Sequence, residues 1–120
     1  MSDSKTSHGT VIVTSGDISF TLKPTLRAFR EIERRFGGVI AAIQAIGVAN
    51  VSNVSFIIAA GTGVDTGKRK DVEAVEEQVF AAGVNTVTNQ VLPFLNALLN
   101  PAGKTDAEIE QEKAEASGNE

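Results

Sequence analysis

Cysteine, tyrosine and tryptophan are absent from the chain, and histidine occurs once in 120 residues. Without cysteine there is no disulfide, no thiolate nucleophile and no cysteine-based zinc or iron–sulfur site. A single histidine also excludes a metal site to which one chain gives two histidine ligands. Scattered serine, threonine and carboxylate side chains are all that remains for catalysis, and they form no recognisable nucleophile–base set. We therefore predict a protein that is not an enzyme and that uses no metal and no cofactor.

Long apolar runs are also missing. No stretch approaches the ~18 consecutive apolar residues of a membrane-spanning helix, and residues 1–9 are polar, without the apolar centre of a signal peptide. These features predict a cytoplasmic protein that does not enter a membrane.

Basic residues are fewer than acidic residues, and the whole difference comes from one segment of the chain. Residues 104–120 contain six acidic and two basic residues and sum to -4, which is the net charge of the whole chain. Residues 1–103 contain nine acidic and nine basic residues and are neutral. Because nucleic-acid phosphates are held mainly by clustered lysine and arginine, this balance argues against a nucleic-acid partner.

The composition along the chain predicts three parts. Residues 1–8 are expected to be a flexible leader, with His8 as a solvated side chain at its end. Residues 9–100 are expected to form a single globular domain, and residues 101–120 a disordered acidic tail in which Ile109 is the one large apolar residue.

The domain begins with a strand signal. Residues 10–14 are rich in β-branched side chains, with Val11 and Val13 alternating with Ile12 and Thr14. Apolar and polar residues alternate over residues 18–23, beyond Ser15-Gly16-Asp17. This pattern predicts an antiparallel β-hairpin. A hairpin alone is marginally stable in water, so it must pack on the helices that follow.

About five short helices are predicted after the hairpin. Apolar residues recur at helical spacing, with glycine, proline or a capping residue at each boundary. The fold class is therefore α+β. The first helix is predicted from Pro24 to a stop at Gly37-Gly38, and the second over residues 39–48. The third should begin after an N-cap at Ser52 and end at Gly61, and the fourth should begin after an N-cap at Asp71 and end at Gly83. The fifth is predicted over residues 84–99, with a bend at Pro93 and a stop at Asn100-Pro101.

Three charged segments each allow a functional interpretation that the sequence favours less than a solvated surface. The arginines of residues 27–35 could clamp a phosphate, but Glu31 and Glu33 interrupt them. The glycine-rich segment 61–70 lacks the spacing of a phosphate-binding loop and is expected to be a flexible, positively charged linker. Glu73, Glu76 and Glu77 could hold a metal or act in catalysis, but the sequence offers them no partner base or nucleophile.

The last helix carries the strongest apolar pattern. A bent helix of this kind can complete the core or offer a surface to another chain, and the sequence leaves both interpretations open. As candidate partner-binding residues we take Phe94, Leu95, Leu98 and Leu99.

An ordered series of short motifs resembles one protein family. The hairpin exits through Phe20-Thr-Leu-Lys-Pro-Thr-Leu into a helix with Ala28, Ile32-Glu33 and Phe36-Gly37, and a later helix follows Ser52 and ends in Ala59-Ala60-Gly61. Over roughly residues 9–100 this series resembles the small tail assembly chaperones of phages and gene-transfer agents, which are encoded beside the tape measure protein. The chain departs from the family pattern in having three residues, not two, between Glu33 and Gly37.

The resemblance implies a non-enzymatic role in building a phage-type tail. Such chaperones are thought to coat the long helical tape measure protein and to help recruit tail tube subunits, so both are the implied partners. A tube-associated structural component that is retained in the particle is the alternative, and only in that case would the protein be found in the virion. Self-association is left open by the sequence.

Overall fold

The computed structural model describes residues 9–100, so the predicted leader, His8 and the predicted acidic tail lie outside the described residues. An antiparallel hairpin is followed by five helices, which confirms the α+β class. The elements are β1 (Val11–Ser15), β2 (Ile18–Leu22), α1 (Leu26–Phe36), α2 (Val39–Ile46), α3 (Val51–Thr62), α4 (Arg69–Ala82) and α5 (Val84–Leu99).

The hairpin forms where the alternating pattern predicts it. Ser15 pairs with Ile18, so the loop has two residues, and Gly16 at its first position has φ +59°. A glycine with positive φ there fits the type II′ loop, whose twist matches that of the strands. Val13 and Leu22 are buried on the inner face of the hairpin. The outer face, with Ile12, Thr14, Ser19 and Thr21, is exposed.

The ends of α1 follow the sequence signals closely. The Thr25 hydroxyl accepts a hydrogen bond from the Ala28 N–H at 3.1 Å, which caps the N-terminus one residue after Pro24. Gly37 ends the helix with φ +88°, and its N–H donates to the carbonyl of Glu33 at 2.8 Å. This is the left-handed glycine cap that the sequence predicts.

Other predicted helix ends were wrong by two or three residues. Helix α3 is capped by Asn50 rather than Ser52, and it runs through Gly61 to a left-handed cap at Gly63. There the Val64 N–H donates to the Ala59 carbonyl at 3.0 Å, as in a Schellman motif. Helix α4 begins at Arg69, so Asp71 lies in its first turn and is not its N-cap.

The segment between α3 and α4 is shorter than the predicted linker and is closed by local hydrogen bonds. The Asp65 carboxylate accepts from the Gly67 N–H at 2.9 Å, and the Asp65 carbonyl accepts from the Lys68 N–H at 3.0 Å. An aspartate that bonds the backbone two residues onward forms an Asx turn. Helix α4 begins directly after these turns, at Arg69.

Helix α3 is the centre of the domain. It packs against β2 and against all four other helices, while α5 also packs along β1. Seven of the twelve residues of α3 are buried. The largest fully buried side chains of the core are Phe94, Leu22, Ile32, Ile57, Ile58 and Leu95.

Gly61 lies where α3, β2 and α5 pack tightly against one another. A Cβ placed on Gly61 would lie 3.0 Å from the Leu22 Cβ and 3.0 Å from the Phe94 Cζ. The Gly61 carbonyl also accepts a hydrogen bond from the Lys23 N–H at 3.0 Å, just after β2 ends. The glycine is therefore needed inside the helix for lack of space, not as the helix terminator that the sequence suggested.

A glutamine side chain joins α5 to the outer edge of β1. The Thr14 N–H donates to the Gln90 Oε1 at 2.9 Å, and the Gln90 Nε2 donates to the Thr14 carbonyl at 2.8 Å. The amide thus pairs with Thr14 as a neighbouring strand would. It closes part of an edge that would otherwise present unpaired backbone groups.

We predict that Gly61→Ala destabilises the protein although alanine favours helices. The added methyl group would overpack Leu22 and Phe94, at a cost of about 1–3 kcal/mol. The gain of up to about 1 kcal/mol in helix propensity would offset only part of this cost. Chemical denaturation measures the change in the free energy of unfolding. Ser52→Ala, an exposed position of the same helix, should change that free energy by less than about 0.5 kcal/mol. A Gly61→Ala variant more stable than the parent would contradict the packing argument.

We predict that Gln90→Ala lowers the free energy of unfolding by about 1–2 kcal/mol, because two hydrogen bonds to the backbone of Thr14 are lost. The neighbouring Asn89→Ala, which removes an exposed amide from the same helix, serves as the control. Hydrogen exchange should also show faster exchange of the Thr14 amide in the Gln90 variant only. Equal stability of the two variants would remove the role assigned to Gln90.

Candidate functional site

The structure separates the four candidate partner-binding residues. Phe94 and Leu95 are fully buried and Leu98 is 5% exposed, whereas Leu99 is 46% exposed. The first three belong to the core because α5 packs that side against α3, where Phe94 lies beneath Gly61. Of the four, Leu99 is the one that another chain could contact in this conformation. A partner-binding role of these residues stays a prediction. Pro93 lies within α5, on its exposed side.

A surface groove runs between the N-terminal half of α3 and the facing side of α4. It consists of three adjoining depressions of about 400, 320 and 590 Å³, each of which shares lining residues with the next. We call this the α3–α4 groove. Its apolar lining residues are Val51 and Phe56 from α3 and Val72 and Phe80 from α4.

One end of the groove combines two arginines and an aromatic pair with the carboxylates of Glu31 and Asp65. The guanidinium carbon of Arg35 lies 4.7 Å from the ring centre of Phe56 and 5.6 Å from that of Phe36, and the two rings meet edge to face at 6.1 Å. Such cation–π contacts hold the guanidinium against the rings. Arg35 also donates through Nη2 to the Asn53 Oδ1 at 3.4 Å, so it links α1 to α3. Arg34 lines the same end.

Glu31 fixes the segment before α4 to this end of the groove. One carboxylate oxygen pairs with the Arg27 Nε at 3.1 Å, one turn earlier in α1, as the spacing predicts. The other oxygen accepts from the Thr66 hydroxyl at 3.2 Å. A pair of Glu31 with Arg35, which the spacing also allows, is not formed among the described residues, because Arg35 stacks on the aromatic rings instead.

The wall formed by α4 is acidic. Glu73, Glu76 and Glu77 line it, and Glu73 pairs with the Arg69 Nε at 3.0 Å. Glu73 and Glu77 are exposed and Glu76 is half-buried. Over residues 9–100 no group of three or more acidic, histidine or cysteine side chains is placed to hold a metal ion.

Phe80 stands at the far end of the groove and is 75% exposed. In the sequence Phe80 stands directly beside Val79, which belongs with Val75 to the core row of α4, so the apolar pattern does not single out Phe80 as a site. The spacing of residues along α4 could nevertheless have indicated that Phe80 belongs to the groove. Val72, Glu76 and Phe80 recur every fourth residue, which places them on one side of the helix, and all three line the groove.

Comparisons with known protein families, with curated proteins and with solved structures yield no match to this chain. Among the helices of residues 9–100, none combines the length and the apolar character needed to cross a membrane.

We predict opposite outcomes for two neighbouring substitutions at the end of α5. Leu98→Asp places a carboxylate in the core and should cost more than about 4 kcal/mol, which is enough to unfold a domain of this size. Leu99→Asp acts on a half-exposed side chain and should cost less than about 1 kcal/mol. Circular dichroism and thermal denaturation distinguish the two. A folded Leu98→Asp protein would show that this residue is not part of the core.

Proposed function

We propose that the protein is a non-enzymatic tail assembly chaperone that binds the tape measure protein in the α3–α4 groove and shields it until the tail tube is built around it. The observation that carries the proposal is the exposure of Phe80 at the end of a groove that Val51, Phe56 and Val72 also line. Exposed aromatic side chains of this kind are typical of protein interaction sites. The series of motifs that resembles tail assembly chaperones names the partner.

The dimensions of the groove suit a helical segment. From Arg69 to Phe80 the groove follows twelve residues of α4. The rise of about 1.5 Å from each residue to the next gives a length of about 17 Å, or three helical turns. An amphipathic helix binds such a groove through apolar side chains spaced three and four residues apart. A tape measure protein, as a long helix, would expose such apolar rows before assembly.

The charges around the groove determine which helical segments of a partner can bind there. Glu73, Glu76 and Glu77 form an acidic wall, whereas at the end opposite Phe80 the two arginines stand beside two carboxylates. The segment that binds should therefore carry lysine or arginine beside its apolar row. Opposite charges across the rim would contribute more to the choice of partner than to the affinity.

The expected site of action is the cytoplasm, where tails are assembled. A chaperone leaves its client when assembly is complete, whereas a structural tail component remains bound. The tail tube protein is the second expected partner, because shielding and recruitment must follow one another on the same client.

We predict that co-expression with the tape measure protein, which the resemblance implies is encoded beside it, yields a stable complex, and that Phe80→Asp weakens this complex at least about tenfold. A buried aromatic contact is worth about 2 kcal/mol or more, and the aspartate would also face the acidic wall. Affinity purification followed by binding titration measures the effect. Because Phe80 is three-quarters exposed, the variant should fold normally.

Ile40→Asp is the matched control, since Ile40 is a 56% exposed apolar residue on α2, outside the residues that line the groove. Equal loss of binding in both variants, or none in either, would argue against the groove. Failure of the parent protein to bind the tape measure protein would overturn the proposed function. Mass spectrometry of purified particles completes the test, because a stoichiometric amount in the particle would favour the structural tail component.

A further inference from the structure

We propose that the free edge of β2 pairs with the same edge of a second copy, so that two hairpins join in one four-stranded antiparallel sheet. This surface contains none of the residues that line the α3–α4 groove. The proposal is therefore independent of the proposed function. It concerns self-association, and its occupant is this chain itself.

The hydrogen bonds of the hairpin show which backbone groups face outward. Both backbone groups of Thr14 bond to Gln90, so they point away from β2. Thr14 is paired with Ser19, and inward and outward pairs alternate along an antiparallel ladder. Ser19 and Thr21 of β2 therefore also direct their N–H and C=O groups outward.

The outer edges of the two strands differ. On β1, Gln90 occupies the backbone of Thr14. On the β2 side, the Lys23 N–H donates a hydrogen bond to the Gly61 carbonyl. Among residues 9–100, however, the outward backbone groups of Ser19 and Thr21 make no hydrogen bond. Both of these residues are exposed. An open strand edge of this kind is a template for another strand.

Pairing about a twofold axis at Phe20 uses all of these groups. In that register Ser19 of each copy lies opposite Thr21 of the other, and each of the two pairs exchanges two hydrogen bonds. Phe20 then faces its own counterpart at the closely spaced position, on the core side of the sheet. Phe20 is half-buried in the single chain, so the aromatic pair would cover the part that remains exposed.

Charge complementarity favours a second copy over an unrelated strand. The Lys23 N–H is already bonded to Gly61, so the strands do not pair beyond Leu22. In the same register the side chains of Asp17 of one copy and Lys23 of the other lie on the same outer face, where they can meet, and twofold symmetry forms this pair twice. Both side chains are exposed, and neither forms an ion pair within residues 9–100. The contact is only one short strand long, so we expect reversible, concentration-dependent dimers.

Analytical ultracentrifugation of the full chain at increasing concentration tests the proposal. The expected result is a shift from the chain mass of 12.6 kDa toward twice that mass. Thr21→Pro should weaken dimerisation by about tenfold or more, because it removes a donor from each of the two symmetric pairs. Its ring replaces an outward N–H that the hairpin does not use, which an edge strand tolerates. Circular dichroism verifies the fold.

Charge exchange provides a second test that does not disturb the backbone. Asp17→Lys alone and Lys23→Asp alone should each weaken self-association by about threefold to thirtyfold, because both symmetric pairs become repulsive. A mixture of the two variants should form heterodimers at least as tightly as the parent forms dimers, since every opposing pair is then of unlike charge. The double variant in one chain should also regain parental association.

Three outcomes would overturn the proposal. These are a monomer at every concentration, dimerisation unchanged by Thr21→Pro, and a mixture of charge variants that associates no better than either variant alone. If the chain does not self-associate but binds an extended peptide from another protein at this edge, the edge belongs to a different occupant. Phe80→Asp should leave self-association unchanged, which separates this proposal from the groove.

Discussion

The close contact of Gly61 with Leu22 and Phe94 is the constraint on which the rest of the structure depends. At this point the hairpin, the central helix and the last helix all meet, and a side chain as small as alanine would separate them. The hydrogen bond from Lys23 to the same glycine fixes the hairpin at the end of α3. A two-stranded hairpin is marginally stable alone, so this junction allows a short sheet to be a stable part of the domain.

This junction also decides which apolar surface is left for other molecules. Once Phe94 and its neighbours on α5 are enclosed beneath α3, they are unavailable to a partner in this conformation. The N-terminal half of α3, residues 51–56, lies about one and a half to three turns before Gly61 and lines the groove together with α4. The groove and Phe80 therefore lie where the packing of α3 is incomplete, at the opposite end of the helix from the hairpin.

The elements could be predicted from sequence because their signals are local, whereas the site could not. Strand alternation around Gly16 and helical spacing between capping residues depend on neighbours a few positions away. Whether Phe94 or Phe80 is buried depends on which helix packs against each, and both lie beside apolar rows. Similarly, Gly61 and Gly63 are equivalent as helix terminators in the sequence. Only the approach of Leu22 and Phe94 shows that Gly61 serves packing and Gly63 serves the cap.

The separation of the groove from the β2 edge has a consequence for a long helical client. Two copies joined through β2 would carry two α3–α4 grooves related by a twofold axis, both on the far side of α3 from the shared sheet. Binding of one groove to a client would then raise the effective concentration of the second groove near the same client. Two linked grooves therefore gain avidity without any new contact. Dissociation of the short sheet between the copies would remove this avidity and so favour release, which suits the proposed chaperone role.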